Sequence, residues 1–129
     1  MGGIDLRDNS LGDEGWGAIF AGVCSSKASK IASIDASRKG IGPKGAKLIA
    51  EALHTSVSAS LTECNVRGNA LDGDSATLLA KVAREKRVML FGIKHNQTEA
   101  IFQGQGLGPV DAILIASDLA VSASITSVR

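Results

Sequence analysis

The chain has 129 residues, 44% of them hydrophobic, with 14 basic against 13 acidic side chains and a formal charge of +1. That length and apolar content suit one domain with a core and exclude a chain disordered by composition. The near-neutral charge removes the electrostatic case for nucleic acid or an anionic membrane as partner, and no apolar stretch reaches the length of a membrane span.

In chain order, the first expected element is a short strand at Ile4 and Leu6, apolar positions two apart that bury one face. "LRDNSLGDEG", residues 6–15, follows and admits two readings. Asp8, Asn9, Asp13 and Glu14 are hard oxygen ligands of the kind a cation loop uses, and the same residues suit a turn leading into a helix. The helix then carries its apolar stripe at Ala18/Ile19 and Val23. The succession restarts after 30 residues: a strand at Ile34 and Ala36, a polar turn residue Lys39 followed by Ile41, and a helix with Leu48/Ile49 and Leu53. It restarts again at Cys64 and Val66, with Asn69, Leu71, Leu78/Leu79 and Ala83. A further copy, Ala100 and Phe102 with Gln105, Leu107, Leu114/Ile115 and Leu119, requires a shift of 36, and Ile125 with Val128 opens a unit that stops at once.

The extra residues lie in "VMLFGIKHNQTEAIF", where Val88, Phe91, Ile93 and Asn96 repeat the strand spacing with no helix behind them. Too few residues separate Ile93 from Phe102 for a helical crossover. A hairpin-like interruption returning through "KHNQ" is the expectation, with an extended bulge as the alternative. The internal comparison also decides the opening stretch. Asp8 corresponds to Arg38 and Gly68, Asp13 to Pro43 and Gly73, and Glu14 to Lys44 and Asp74, replacements that a turn tolerates and a shared metal loop does not.

A strand followed by a parallel neighbour needs a crossover, and a helix of constant length supplies it. The expected fold class is therefore α/β, an open curved solenoid with a parallel sheet and outer helices. The strings Ile31, Ile34, Ala36, Lys39, Ile41, Gly42 and Leu61, Cys64, Val66, Asn69, Leu71 resemble leucine-rich repeats of the long ribonuclease-inhibitor type. Ala36 departs from that pattern at a leucine position, and Lys39 and Gln105 depart at the asparagine position. The expected organisation is a single repeat domain or fragment over 1–129, with units near 1–30, 31–60, 61–87 and 98–124, an irregular 88–97 and a partial 125–129.

Candidate reactive groups read as structural. Cys64 shares the inward strand column with Ile4 and Ile34, and Cys24 falls at a helix end expected to be partly exposed. His54 and His95 lack neighbouring ligands with zinc spacing. "GQGLGP" from Gly104 lacks the spacing of a phosphate loop. No catalytic residue, cofactor or metal is expected, and Trp16 is expected to seal the first unit against the next. Two cysteines make no disulfide framework and Met1–Arg7 does not have the make-up of a signal peptide, so the expected setting is cytoplasmic.

The outward strand positions form the expected recognition surface: Asp5, Asp35 and Asn65 in one row, Arg7, Ser37, Arg67 and Lys94 in the next, and His95 beyond. The resemblance implies a noncatalytic protein-interaction module that uses the concave sheet face to bind an unidentified protein or peptide. The competing expectation is a structural or self-assembling repeat fragment without a dedicated small-molecule site, forming a homo-oligomer through uncapped ends. Neither reading involves nucleic acid or membrane.

Overall fold

Helix starts in this chain are set by carboxylates and prolines. The computed structural model describes residues 3–4, 11–57 and 60–129, for Gly3 and Ile4 the backbone alone. In chain order the elements are β1 (Gly3–Ile4), α1 (Gly12–Cys24), β2 (Ser33–Asp35), α2 (Pro43–His54), β3 (Glu63–Asn65), α3 (Gly73–Lys86), β4 (Glu99–Ala100), α4 (Pro109–Val121) and β5 (Ser127–Val128). Asp13, in the first turn of α1, caps the neighbouring helix: its two carboxylate oxygens accept from Gly42 N and Gly45 N, both at 2.9 Å. These are N–H groups at the start of α2 that have no partner within the helix, and the negative charge suits that helix end. Asp72 and Ser75 form a capping box on α3, and Asp111 accepts from Gly108 N at 2.8 Å at the start of α4. Asp13 is thus committed to holding two helices together, while Asp8 and Asn9 lie outside the described residues.

Consecutive helices pack side by side, α1 on α2, α2 on α3 and α3 on α4. Their inner faces bury Trp16, Phe20, Ile49, Leu53, Leu79 and Leu114 against Ile34, Cys64 and Val66 of the strands. The phase of α1 differs from the expected stripe, since Ala18 is exposed and Ile19 only half-buried. Trp16 and Phe20 carry more apolar area and lie four residues apart, so they turn their own side of the helix inward. Cys24, one turn further on, goes in with them and is buried rather than partly exposed.

The solenoid expectation is overturned. The strands are only two or three residues long against helices of 12–14, and they lie in two separate parallel sheets, β1–β2–β3 and β4–β5. Among the described residues the molecule is helix-rich, with no continuous curved sheet, and the leucine-rich-repeat and horseshoe reading falls with it. Pairing 30 residues apart joins Ile4, Ile34 and Cys64 and goes no further. The physical cause lies in residues 88–93. Met89 makes one parallel bridge to Glu63, and Val66 N still donates to Leu90 O. The next two amides are then taken away from the sheet, because Leu90 N and Phe91 N both donate to the carboxylate of Asp118 on α4. The chain turns at Lys94–Gln97, and β4 pairs with β5 instead. The hairpin expected here is likewise not formed, since the partner of β4 is β5 and not the 88–93 segment.

One turn residue ties two strand ends together. Asn69 Oδ1 accepts from Lys39 N at 2.9 Å and Ile41 N at 3.0 Å, while its Nδ2 donates to Ala36 O and Val66 O, both at 2.8 Å. Lys39 therefore needs no amide of its own, because the following turn supplies it. Asn69→Ala leaves four backbone groups without these partners. At about 0.5–1.5 kcal/mol net for each of the four bonds, the expected loss is about 2–6 kcal/mol in urea unfolding. A loss below about 0.5 kcal/mol would show that water replaces all four bonds.

Candidate functional site

Strands β2 and β3 bury Ile34 and Cys64, and the extended residues just after them bury Ala36 and Val66, which leaves the alternate residues on the opposite face. That face carries Ser33, Asp35 and Ser37 beside Glu63, Asn65 and Arg67. Asp35 pairs with Asn65 in register, and Arg38 N donating to Arg67 O continues the alignment to Ser37 and Arg67. Each strand end is fixed by its own side chain: Asp35 Oδ1 accepts from Ser37 N at 3.0 Å and Ser37 Oγ at 2.6 Å, and Asn65 Oδ1 accepts from Arg67 N at 3.1 Å. Such local bonds hold a short polar side chain in one orientation on an open surface.

Arg67 is the best-braced group of the face. Its guanidinium carbon lies 4.5 Å from the centroid of the Phe91 ring, and Nη2 donates to Gln105 Oε1 at 2.9 Å. Phe91 is itself buried and set edge-on to Phe102, with ring centroids 5.9 Å apart. A planar cation on a fixed aromatic plate gives up little conformational freedom when it binds. Beside it is a cavity of about 130 Å³ lined by Ser33, Asp35, Glu63, Asn65, Gly92 and Lys94 among others. Gly92 has a left-handed backbone, which favours glycine, and a Cβ there would come 3.0 Å from Asn65 Nδ2, close enough that the amide would have to shift.

The structure brings Asp35, Ser37, Asn65 and Arg67 together and divides the remainder. Lys94 does not extend the Arg67 row; its Nζ lies 3.0 Å from Glu63 Oε2 at the other side of the cavity. His95 stays exposed but is turned away from the Arg67 row, with Nε2 3.1 Å from Thr62 O near the beginning of β3. Asp5 and Arg7 lie outside the described residues. Sequence reasoning missed Glu63, Phe91 and Gln105. Glu63 was available from the alternation that selected Asn65 and Arg67, whereas the plate beneath Arg67 comes from the diverted 88–93 segment and has no spacing signal.

In chemical terms the surface offers a fork of donors, two carboxylates and an amide. Both cysteines lie under it in the core, where burial raises their thiol pKa values and favours the inert protonated form. Among the described residues no group of three or more His, Cys, Asp or Glu side chains is placed to hold a metal, and no helix is long and apolar enough to cross a membrane. Comparison of the chain with protein-family models and with curated proteins gave no match.

Proposed function

We propose that this chain is a noncatalytic protein-binding module that grips a polar segment of a partner protein or peptide on the exposed face of β2 and β3. The observation that carries the reading is Arg67, stacked on buried Phe91 and braced by Gln105 beside a cavity flanked by Asp35 and Glu63. A pre-set guanidinium suits a carboxylate of the partner segment, and the Glu63–Lys94 pair across the cavity adds a donor and an acceptor for its polar neighbours. Arginine held this way is the residue type in which binding energy concentrates.

Affinity capture with the wild-type chain, Arg67→Glu and Lys81→Glu tests this, Lys81 being an exposed residue on the outer side of α3. A partner retained by the wild type and by Lys81→Glu should bind Arg67→Glu more weakly by roughly tenfold or more. Unfolding stability of Arg67→Glu should change by no more than about 1 kcal/mol, the scale of one exposed cation–π contact. Equal retention by Arg67→Glu would remove the sheet face from the binding surface.

A second reading, self-association, rests on β4–β5. Ile101 and Val128 are each about half exposed, at 52%, and β5 has a strand neighbour on one side only among the described residues. Pairing of two such edges would cover both apolar side chains. Light scattering across a concentration series separates this from a monomer that binds through Arg67.

A further inference from the structure

We infer that the chain has a second binding site, for an anionic group, carboxylate or phosphate, carried on an apolar body. It is a cavity of about 340 Å³ at the end of the molecule where α2 and α3 terminate, and its residues Thr62, Val88 and His95 are chain neighbours of Glu63, Met89 and Lys94 at the cavity of the β2–β3 face. Three cationic or cationisable side chains from different positions line it: Lys86 at the last turn of α3, Arg87 just beyond, and His95 from the turn after the irregular segment. Leu61 and Val88 form part of an apolar wall. No carboxylate lines the cavity among the described residues. Its volume lies at the small end of the range for sites that enclose small molecules.

The cations are held in place by the fold. Arg87 is the residue after α3 and has a left-handed backbone, φ 57° and ψ 47°, in a position where glycine is the usual and less strained choice. A side chain kept where its backbone is disfavoured points to a use for that side chain. Its Nη2 donates to Val121 O at 3.2 Å, at the end of α4, which fixes the guanidinium plane and leaves the rest of the fork for another acceptor. The ring of His95 is held by its 3.1 Å contact to Thr62 O. The negative ends of α2 and α3 account for one neighbouring cation, but not for three around a single cavity with an apolar wall. An anion there would neutralise the cluster, and an attached hydrocarbon would lie against Leu61 and Val88.

Amide NMR titration of the whole chain at constant ionic strength, with inorganic phosphate, butyl phosphate and hexanoate as probes, tests the site. The expected result is saturable shifts confined to the neighbourhood of Leu61, Lys86, Arg87, Val88 and His95. The two probes with apolar bodies should bind more tightly than inorganic phosphate, and the stronger of them assigns the head group. Arg87→Gly keeps the left-handed turn at no steric cost and should weaken binding by roughly tenfold, with the remaining spectrum unchanged. Lys86→Gln, on an exposed side chain, should weaken it in the same direction and serves if the glycine variant does not fold. Unchanged affinity in these variants, absence of saturable shifts, or shifts spread over all surface cations would overturn the inference.

Discussion

Leu79→Ala is expected to destabilise the fold by about 2–5 kcal/mol, and Leu53→Ala by a similar amount. Both side chains are essentially inaccessible to solvent, at 0% and 1% exposure, and belong to the cluster that joins the helix layer to β2 and β3. Shortening either removes its contacts and leaves a void that close-packed neighbours fill only in part. Leu78 provides the internal control: it is adjacent in sequence, 41% exposed, and its truncation should cost no more than about 1 kcal/mol. Urea unfolding of the three variants reads the phase of α3 directly, and equal costs at Leu78 and Leu79 would contradict the packing described.

Asp118→Ala is expected to cost more at pH 4 than at pH 7.5. The carboxyl is completely buried and accepts from Leu90 N and Phe91 N, so its removal leaves two buried amides unsatisfied, at about 1–3 kcal/mol each. Burial raises its pKa from 3.8 to about 6, backbone hydrogen bonds from Leu90, Phe91 and Ile93 and the nearby His95 only partly opposing the shift. Because the folded value lies above the unfolded one, this group's stabilisation is fully present below about pH 3.8 and is lost as pH rises through about 6. The wild type gives up on the order of 3 kcal/mol across that window and the alanine variant does not, so the difference between them should shrink as pH rises. Paired unfolding curves at several pH values cancel the contribution of the other carboxylates. A difference that grows with pH would mean that the ionised carboxylate is the better partner for the two amides.

The parts of the fold that were legible in the sequence are those set by local spacing. Alternating apolar residues at Ile34/Ala36 and Cys64/Val66 name the buried face of β2 and β3, and a constant 30-residue interval places Asp35 beside Asn65. The same arithmetic located Arg67. It failed where a single distant group decides the path of the chain. Asp118 lies 27 and 28 residues beyond the amides it binds, on a helix whose other residues give no sign of a partner for it. Its capture of Leu90 N and Phe91 N ends the first sheet, sends β4 to β5, and brings Phe91 under Arg67. The row Arg67–Lys94 and the place of His95 beside it were lost to the same diversion. Asp13 reads rightly as part of a turn and helix start, but a local carboxylate-rich stretch does not reveal that its oxygens accept from the start of the next helix.

Whether partners are held on the β2–β3 face is measured by amide exchange of the chain with and without a captured partner. Slowed exchange is expected in the complex at residues 35–38 and 65–68, with the exposed outer faces of α2 and α3, including Leu78 and Lys81, unchanged. Protection confined to those helices, with β2 and β3 exchanging as in the free chain, would contradict it.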